Sequence, residues 1–441
     1  MIKKLLITLI TIMLSLLTVG CSIKNKTEKD LVKISDFNTP YTMCYDNNDG
    51  TYTMYIYAAP VQYYDVKSYK TIDNSLVDSK KSDYLCENKA NSIKTYIPKK
   101  ISGEFLLEKN DFKLTFKVNV KADNFKDGII KKYTNFYGQS IQAVCYEGEA
   151  FSLYFYASNS GLEMETVSEN GILETPELLI DYDNDYSKTY DSYDNGYVLL
   201  RNGGNVDNID GIVYAPIALN SSNDYVINLN TNLNYAEKSL TGISYTYQKP
   251  VNKVNQSVVL YTSNMPDSCA YSDFPKNQYL SRFSYLGNSE QFGEGLLYLR
   301  YRLDYYLVLN SDNVISASYN VKPLYGSENS QNYILKENLD QWSSAGLLWS
   351  KKNTKFNEIK TKCSVTDSGY LSFDITDYAK KCFSDETWMV ESYGLTLSYN
   401  GDLQILASSD NPIFIPYIRI GLSALPEGFY PMKDINPPPE E

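Results

Sequence analysis

Apolar and polar residues alternate over short stretches of this chain, which is the pattern of strands with one buried and one solvated face. The clearest case runs from Phe112 to Val120, where every second residue is Phe, Leu or Val and the residues between are Lys, Thr and Asn. We expect it to form a hairpin with residues 105–107 across a turn at Lys109–Asp111. Similar alternation predicts strands over residues 51–59, 151–157 and 196–200.

The C-terminal half shows the same alternation together with one helical signal. Residues 369–375 are predicted to form a strand with Leu371, Phe373 and Ile375 inward. Thr376 is a suitable N-cap for a short helix over 377–382. Asn400-Gly401 separates two apolar runs and predicts a β-hairpin, because this dipeptide supplies the positive φ values of a type I′ turn.

These patterns predict an all-β protein with two β-sandwich domains. By pattern and composition, the chain divides into a signal peptide over 1–20, a polar tether over 21–40, an N-terminal β domain over 41–255, a second β domain over 256–423 and a disordered tail over 424–441. The 42 tyrosines among 441 residues fit this class, since tyrosine favours strands.

The N-terminus carries the signature of a bacterial lipoprotein signal. A basic start, Met1–Lys4, precedes an uncharged apolar run over residues 5–17, and small residues then lead to Cys21. The run is short for a membrane-spanning helix. We therefore expect cleavage before Cys21, a lipid on its sulfur, and location at the extracytoplasmic face of the cell membrane. The lipid is the only membrane contact that this pattern predicts.

Charge and composition exclude several functions. The chain has 41 Lys and Arg against 53 Asp and Glu, a formal charge of -12, so repulsion from phosphate argues against nucleic acid as a partner. It contains no histidine, which excludes Ser-His-Asp catalysis and histidine-ligated zinc. Catalysis would have to use carboxylates, Tyr, Lys or Arg, as in glycosidases and some polysaccharide lyases. No catalytic residue is assigned.

Six cysteines remain besides Cys21, and none forms a Cys-x-x-Cys pair. Their even number in an exported protein permits disulfides. Their wide spacing in a large chain favours buried free thiols instead.

An acidic segment over 181–197 offers the one candidate metal site. Asp181, Asp183 and Asp185 imitate the start of a calcium loop, but Tyr186 and Ser192 replace the Gly and Glu that an EF-hand requires. A solvated acidic loop is the favoured interpretation, and an irregular structural calcium site is the alternative. No other cofactor is expected.

The C-terminal half resembles the DNRLRE domain of bacterial surface proteins over roughly residues 258–422. The similarity lies in the stretches Tyr370–Cys382, Tyr393–Leu397, Leu406–Asn411 and Pro416–Ile420, in Leu296–Leu303, and in the pair Trp342 and Trp349. The resemblance implies a jelly-roll-like, non-catalytic module, which binds glycan in some members of the family.

The N-terminal half is similar to the region that precedes such domains in cell-wall-associated Rhs-type proteins. The similar stretches are Asp49–Thr51, Pro60–Tyr63, Ile72–Leu76 and Asn88–Ser92. This second resemblance implies a surface location and no particular activity.

The sequence therefore predicts a lipid-anchored, non-catalytic surface protein that binds glycan or cell-wall material. Trp342, Trp349 and Trp388 are the candidates for stacking on sugar rings, with core packing as their alternative role. A structural or protein-interaction module at the membrane is the second hypothesis. A polysaccharide-degrading enzyme that uses carboxylates and Tyr is the third.

Overall fold

The structure is a computed structural model that describes residues 32–428 except 110–111, 121, 150, 169–171, 175–176, 183–188, 194–196, 202–208, 215–225, 229–251, 260–264, 266, 275–281, 291, 301–307, 327–331, 344–345, 360 and 385–392. Nearly all of the described residues that form regular structure lie in antiparallel strands, so the predicted all-β class is confirmed. No helix in this part of the chain is long and apolar enough to cross a membrane.

The strands fall into three consecutive groups. The first group is β1 (Val32–Ile34), β2 (Thr42–Asp46), β3 (Tyr52–Tyr57), β4 (Gln62–Asp65) and β5 (Ser68–Thr71). The second is β6 (Asp73–Asp78), β7 (Tyr84–Ala90), β8 (Lys94–Pro98), β9 (Phe105–Lys109), β10 (Phe112–Asn119), β11 (Ile129–Thr134), β12 (Ser140–Glu147), β13 (Ser152–Ala157), β14 (Gly161–Ser168), β15 (Ile172–Glu174), β16 (Glu177–Tyr182), β17 (Thr189–Tyr193), β18 (Tyr197–Arg201), β19 (Ile209–Tyr214), β20 (Val226–Asn228) and β21 (Asn252–Val259). The third is β22 (Asp267–Tyr271), β23 (Phe283–Ser289), β24 (Gly293–Leu299), β25 (Val314–Val321), β26 (Pro323–Tyr325), β27 (Tyr333–Asn338), β28 (Phe356–Ile359), β29 (Cys363–Val365), β30 (Leu371–Asp374), β31 (Leu395–Tyr399), β32 (Gln404–Ala407) and β33 (Tyr417–Leu422), with the helix α1 (Thr376–Ser384) between β30 and β31.

Eight strands form a jelly roll. Its first sheet has the order β3-β33-β25-β30, and its second has the order β24-β31-β27-β28. When these eight strands are numbered one to eight along the chain, the first sheet has the order 1-8-3-6 and the second has the order 2-7-4-5. This is the strand order of a jelly roll. β1 and β2 extend the first sheet beyond β3, and β29 extends it beyond β30.

The jelly-roll core is built from alternate residues of both sheets. Met54 and Ile56 of β3 and Ile418 and Ile420 of β33 are fully buried on the inner face of the first sheet. They belong to the same apolar cluster as Leu397 of β31 in the second sheet. The residues between them therefore point outward from the sandwich.

A second sandwich is inserted between the first and second strands of the jelly roll. Its sheets have the orders β16-β10-β9-β8-β7-β6 and β11-β12-β13-β14-β21-β19-β18-β17. Phe105 and Phe116 from one sheet and Tyr146 and Phe155 from the other meet in one buried cluster. We call this unit the inserted sandwich.

The pairing changes the expected division of the chain. β3 pairs with β33, so residues 41–57, which the pattern placed in the N-terminal domain, belong to the jelly-roll sheet. β1 pairs with β2, so the tether expected over 21–40 ends by Val32. Gly428, assigned to the tail, forms a bridge with Val308. Pairing between strands so distant along the chain leaves no local signal in the sequence.

The hairpin predicted at Asn400-Gly401 does not form. β31 and β32 exist on either side of it, but β31 pairs with β24 and β27, while β32 pairs with β23 and β26. The Asn400 amide donates to the carbonyl of Asn332. Burial of both runs in the second sheet outweighs the turn preference of the dipeptide.

Other local predictions agree with the structure. β9 and β10 form the expected hairpin, with Lys109 opposite Phe112. Leu371, Phe373 and Ile375 are buried, and α1 follows them. The cysteines other than Cys21 are free thiols, of which only Cys363 is partly exposed. Burial raises the pKa of the Cys44, Cys86 and Cys269 thiols to about 12.

Candidate functional site

A row of tyrosines crosses the outer face of the first jelly-roll sheet. It arises because β2, β3 and β33 each place at least one tyrosine on the outward face and the residue before β30 is also tyrosine. We call it the tyrosine row, and it consists of Tyr45, Tyr55, Tyr57, Tyr417 and Tyr370. Tyr55 is 8% exposed and the other four are partly exposed.

The rings of the tyrosine row are in continuous contact. The ring centroids are 5.9 Å apart for Tyr45 and Tyr55, and 5.8 Å apart for Tyr55 and Tyr417. Tyr417 lies 5.4 Å from Tyr57 and 5.4 Å from Tyr370. These separations and tilts are typical of favourable aromatic pairs. The row therefore spans β2 to β30, with an aromatic surface broken by phenol hydroxyls.

Cationic and polar groups border the tyrosine row. Arg419 is exposed on the same outer face, directly opposite Tyr55 on β3 and Ser318 on β25. The Lys322 ammonium lies 5.7 Å from the Tyr370 ring centroid. Burial, and then the neighbouring Tyr417, raises the pKa of the Tyr370 hydroxyl, so this phenol keeps its proton and can donate a hydrogen bond.

Trp342, a candidate for sugar stacking, is instead part of the packing. Its ring is 6% exposed and lies edge-on to Tyr298, with 5.3 Å between the ring centroids. The indole N–H donates to the Tyr393 carbonyl at 2.6 Å. Tyr298 points outward from β24, so Trp342 covers the outer face of the second sheet. A ring enclosed in this way has no free face for a sugar.

Of the other two candidate tryptophans, the structure describes Trp349 and not Trp388. Trp349 is partly exposed, and the Lys352 ammonium lies over its ring, 3.3 Å from the centroid. One face of that ring is therefore occupied by a cation. Trp388 lies outside the described residues, so its stacking role stays a prediction.

A groove opens between the two sheets of the inserted sandwich, and we call it the β6 groove. It is a cavity of about 520 Å³ between β6 and the paired strands β11 and β12. Its lining combines apolar and polar side chains without an aromatic ring: Ile130, Ile141, Ala157, Asn74, Ser75, Lys131, Lys132, Ser140 and Gln142. The Leu76 amide donates to the Gln142 side-chain carbonyl at 2.9 Å, which fixes one wall. The groove offers a largely apolar surface with amides, hydroxyls and two lysines around it.

A buried ionic cluster joins the inserted sandwich to the jelly roll. Glu163 of β14 accepts from the Arg282 guanidinium at 2.5 Å, and both side chains are almost fully buried. Burial raises the pKa of the Glu163 carboxyl, and the Arg282 charge opposes that rise. Nearby, Glu165 accepts from the Tyr156 hydroxyl at 2.8 Å and the Phe136 amide at 2.7 Å. The cluster brings carboxylates, Tyr and Arg together, but a substrate would not reach them.

The remaining predicted sites lie largely outside the described residues. Cys21, Asp183 and Asp185 are outside them, and Asp181 is described only as a member of β16, where it pairs with Thr115. In the described part of the chain no three Cys, Asp or Glu side chains are grouped so as to hold a metal ion. The calcium site and the lipid attachment therefore stay predictions.

The tyrosine row was not found from the sequence. The alternation of Tyr55 and Tyr57 on β3 shows that both share a face. What the sequence does not show is that Tyr417 and Tyr370 lie beside them, because β33 and β30 come from the far end of the chain.

The fold and these surfaces define a jelly-roll protein with a β-sandwich inserted after its first strand. No protein-family model matches the chain, and no curated protein matches it either.

Proposed function

We propose that this chain is a lipid-anchored, non-catalytic protein of the extracytoplasmic face of the cell membrane that binds glycan or cell-wall material. The observation that supports binding is the tyrosine row with Arg419 beside it. The N-terminal signal ending at Cys21 supports the anchor. The similarity of residues 258–422 to DNRLRE domains supports the same class of function.

The chemistry of the row suits a sugar. The apolar face of a pyranose packs on aromatic rings, and its hydroxyls need donors and acceptors at the ring edge. Tyr57 and Tyr417 offer two tilted rings with a shared border. Their phenol hydroxyls and the Arg419 guanidinium supply the polar partners.

A catalytic role has less support. A glycosidase needs two carboxylates open to substrate, and a lyase needs an accessible Tyr beside a cation. Tyr137 does lie near the Arg282 guanidinium, 6.0 Å from ring centroid to guanidinium carbon, with Glu163 adjacent. That group is buried, so we favour a structural role for it over a catalytic one.

The test is retention of the purified chain on cell-wall polysaccharide and on a glycan array, with calcium present. Tyr417→Leu keeps an apolar side chain but removes the aromatic face and the hydroxyl. We expect it to weaken glycan binding about fivefold, since an aromatic contact contributes about 1 kcal/mol beyond its buried area. Arg419→Ala should weaken binding without loss of stability, because this side chain is exposed.

The matched control is Tyr64→Leu, which changes an exposed tyrosine on β4, outside the row. It should bind glycan as the wild type does. Absence of binding to any wall or host glycan would count against the proposal as a whole. Binding that Tyr417→Leu and Arg419→Ala leave unchanged would move the site away from the row, with the β6 groove as the next candidate.

Protein binding by strand addition is the second candidate function. β11 lies at the end of its sheet, and Ile129 and Ile130 on it are 48% and 36% exposed. A sheet edge of this kind can accept an extended segment of another protein. Lys131 and Lys132 on the same strand argue in the other direction, since edge lysines discourage such pairing. Slower amide exchange in β11 upon addition of envelope proteins would favour this alternative.

A further inference from the structure

The β4–β5 hairpin is a separate two-stranded sheet with an apolar tip. It pairs with no other described strand. Val66 at its turn is 82% exposed, and Tyr64 beside it is 59% exposed. Tyr69 lies directly opposite Tyr64, and their rings pack edge-on with centroids 5.3 Å apart. This apolar surface contributes nothing to the stability of the fold, because it stays in contact with water.

The turn also stores backbone strain. Val66 has a φ of 54°, a conformation that a β-branched residue rarely adopts. Glycine or asparagine would relieve that strain. The valine at this turn therefore lowers stability through its backbone conformation, and its exposed side chain returns almost nothing on folding. Backbone conformations of this kind cluster at functional sites, where function rather than stability determines the residue.

The base of the hairpin is tied to the place where the chain enters the fold. Gln62 is fully buried and accepts from the Lys33 ammonium at 2.5 Å. Its amide nitrogen donates to the carbonyls of Thr39 and Thr42, each at 2.6 Å. Lys33 belongs to β1, the first described strand after the predicted lipid site. The hairpin and the arriving chain therefore share one end of the molecule.

The length of the tether limits how far β1 and the hairpin can lie from the bilayer. Residues 22–31 separate Cys21 from β1, and a chain of that length spans at most about 35 Å when fully extended. Strands of four residues at about 3.3 Å per residue extend about 13 Å from their base. A hairpin at the entry point thus reaches the membrane surface when it faces the bilayer and the tether spans about 13 Å or less.

We infer that the β4–β5 hairpin is a second membrane contact, whose tip residues Tyr64, Val66 and Tyr69 enter the interfacial layer of the bilayer that holds the lipid of Cys21. The inference rests on the proposed anchor. Tyrosine suits the interface because its ring is apolar and its hydroxyl remains hydrated. Lys67 is exposed beside Val66 and can face anionic headgroups. Lys70 is paired with Asp65 and has its charge balanced within the hairpin.

Insertion of the tip would also overcome a repulsion. The chain carries a formal charge of -12, so a bilayer with anionic lipids repels most of its surface. A short apolar tip with a lysine provides a local attraction at one end. The contact would fix the orientation of the jelly roll, because a lipid on a tether fixes distance alone.

The test uses the full lipidated chain in vesicles of phosphatidylcholine and phosphatidylglycerol. An environment-sensitive fluorophore is placed at Val66→Cys, in a Cys363→Ser background that removes the most accessible native thiol. The control is the same fluorophore at Val365→Cys. Val365 is also an exposed valine, 44% exposed, but lies on β29, at the opposite end of the sheet from β1. Both substitutions fall on exposed side chains, so both chains should fold.

We expect the label at position 66 to shift to shorter wavelength, to rise several-fold in emission and to be quenched by phospholipids with a nitroxide near the headgroup. The label at position 365 should stay as it is in water. Equal, water-like emission at both positions in chains that float with the vesicles would overturn the inference while leaving the anchor intact. Chains that do not float with the vesicles would overturn the anchor and the inference together.

Discussion

Arg282 and Glu163 form an ion pair buried between the jelly roll and the inserted sandwich, with their closest nitrogen and oxygen atoms 2.5 Å apart. Arg282 is also held through its carbonyl, which accepts from the Ser408 amide and the Asn411 side chain. The guanidinium thus reaches from a jelly-roll loop into a sheet of the inserted sandwich. The pair is therefore one of the contacts between the two units.

Arg282→Met should destabilise the protein by about 3–5 kcal/mol, because it leaves the Glu163 carboxylate buried without its cation. The measurement is the urea midpoint of unfolding. Adding Glu163→Leu to Arg282→Met should recover most of the loss, since a buried pair can be replaced by apolar side chains.

Asp340→Asn is the matched control for the ion pair. It removes the partner of Lys355 in an exposed pair, and the expected change is no more than about 1 kcal/mol. A loss for Arg282→Met no larger than that of Asp340→Asn would contradict a joining role for the buried pair.

Asp267 should make stability depend on pH in a direction that is unusual for a carboxylate. Its side chain is buried and accepts from the Ser409 amide and hydroxyl, both at 2.8 Å. Burial raises the pKa of this carboxyl from 3.8 to about 7, and the bonds from Ser409 oppose the rise. Between these values the folded state holds a proton that the unfolded state has released. The contribution of Asp267 is therefore complete below about pH 4 and is lost as the pH rises towards 7.

Asp267→Asn should remove this dependence, because an amide does not titrate. The free energy of unfolding of the variant, compared with that of the wild type, should improve by up to about 1.4 kcal/mol for each pH unit across that window. Chemical unfolding at several pH values between 4 and 8 gives the comparison. Parallel curves for the two proteins would exclude the raised pKa.

Trp342→Ala should reduce stability by about 3–5 kcal/mol, as expected for a buried tryptophan that leaves a cavity, while the Tyr393 carbonyl keeps only its hydrogen bond from Asn338. Glycan retention by the folded variant should be unchanged, because the ring is enclosed. Trp349→Ala, at a partly exposed position, is the comparison and should lose less stability. Weaker glycan binding by Trp342→Ala, under conditions where it is fully folded, would restore the stacking role.

Cys21→Ala should abolish incorporation of an alkyne palmitate analogue, because no thiol then remains at the lipidation site. The precursor should stay uncleaved by the lipoprotein peptidase, or the protein should appear in the medium. The control is Cys363→Ala, which removes the partly exposed thiol among the described cysteines and should keep full label. Equal label in wild type and Cys21→Ala would contradict the anchor.

Local features of the fold were readable from the sequence, and long-range features were not. Alternation identified β10, with Leu114, Phe116 and Val118 buried as expected, since period-two burial needs only the strand itself. The short helix α1 followed the predicted strand end. The prediction of a hairpin at Asn400-Gly401 was wrong, because β31 and β32 each pair with strands from elsewhere in the chain and not with each other.

The candidate site was less readable for a related reason. The charges of Glu163 and Glu165 favour exposure to solvent, yet both side chains are fully buried. Their burial depends on partners from other parts of the chain: Arg282 pairs with Glu163, and the Tyr133 hydroxyl and the Phe136 amide donate to Glu165. Trp342 could be seen as a large aromatic anchor, but its enclosure depends on Tyr298 and Tyr393. Residue type identified these side chains as candidates for a functional site. Whether each lies at the surface or in the core depends on tertiary contacts that the sequence does not show.

The pairing of β3 with β33 sets the order in which the protein can fold. The first strand of the jelly roll can pair with β2 early, but it gains its other neighbour only when the last strand has been synthesised, since Tyr52 lies opposite Leu422. The inserted sandwich has nearer contacts and can form earlier, because closing a shorter loop loses less chain entropy. Until β33 has been synthesised, the edge of β3 that faces it is unpaired and the apolar inner face of β3 is uncovered. A chain that ends before β33 would keep a folded inserted sandwich and expose Met54 and Ile56, which is the kind of surface that envelope chaperones and proteases recognise.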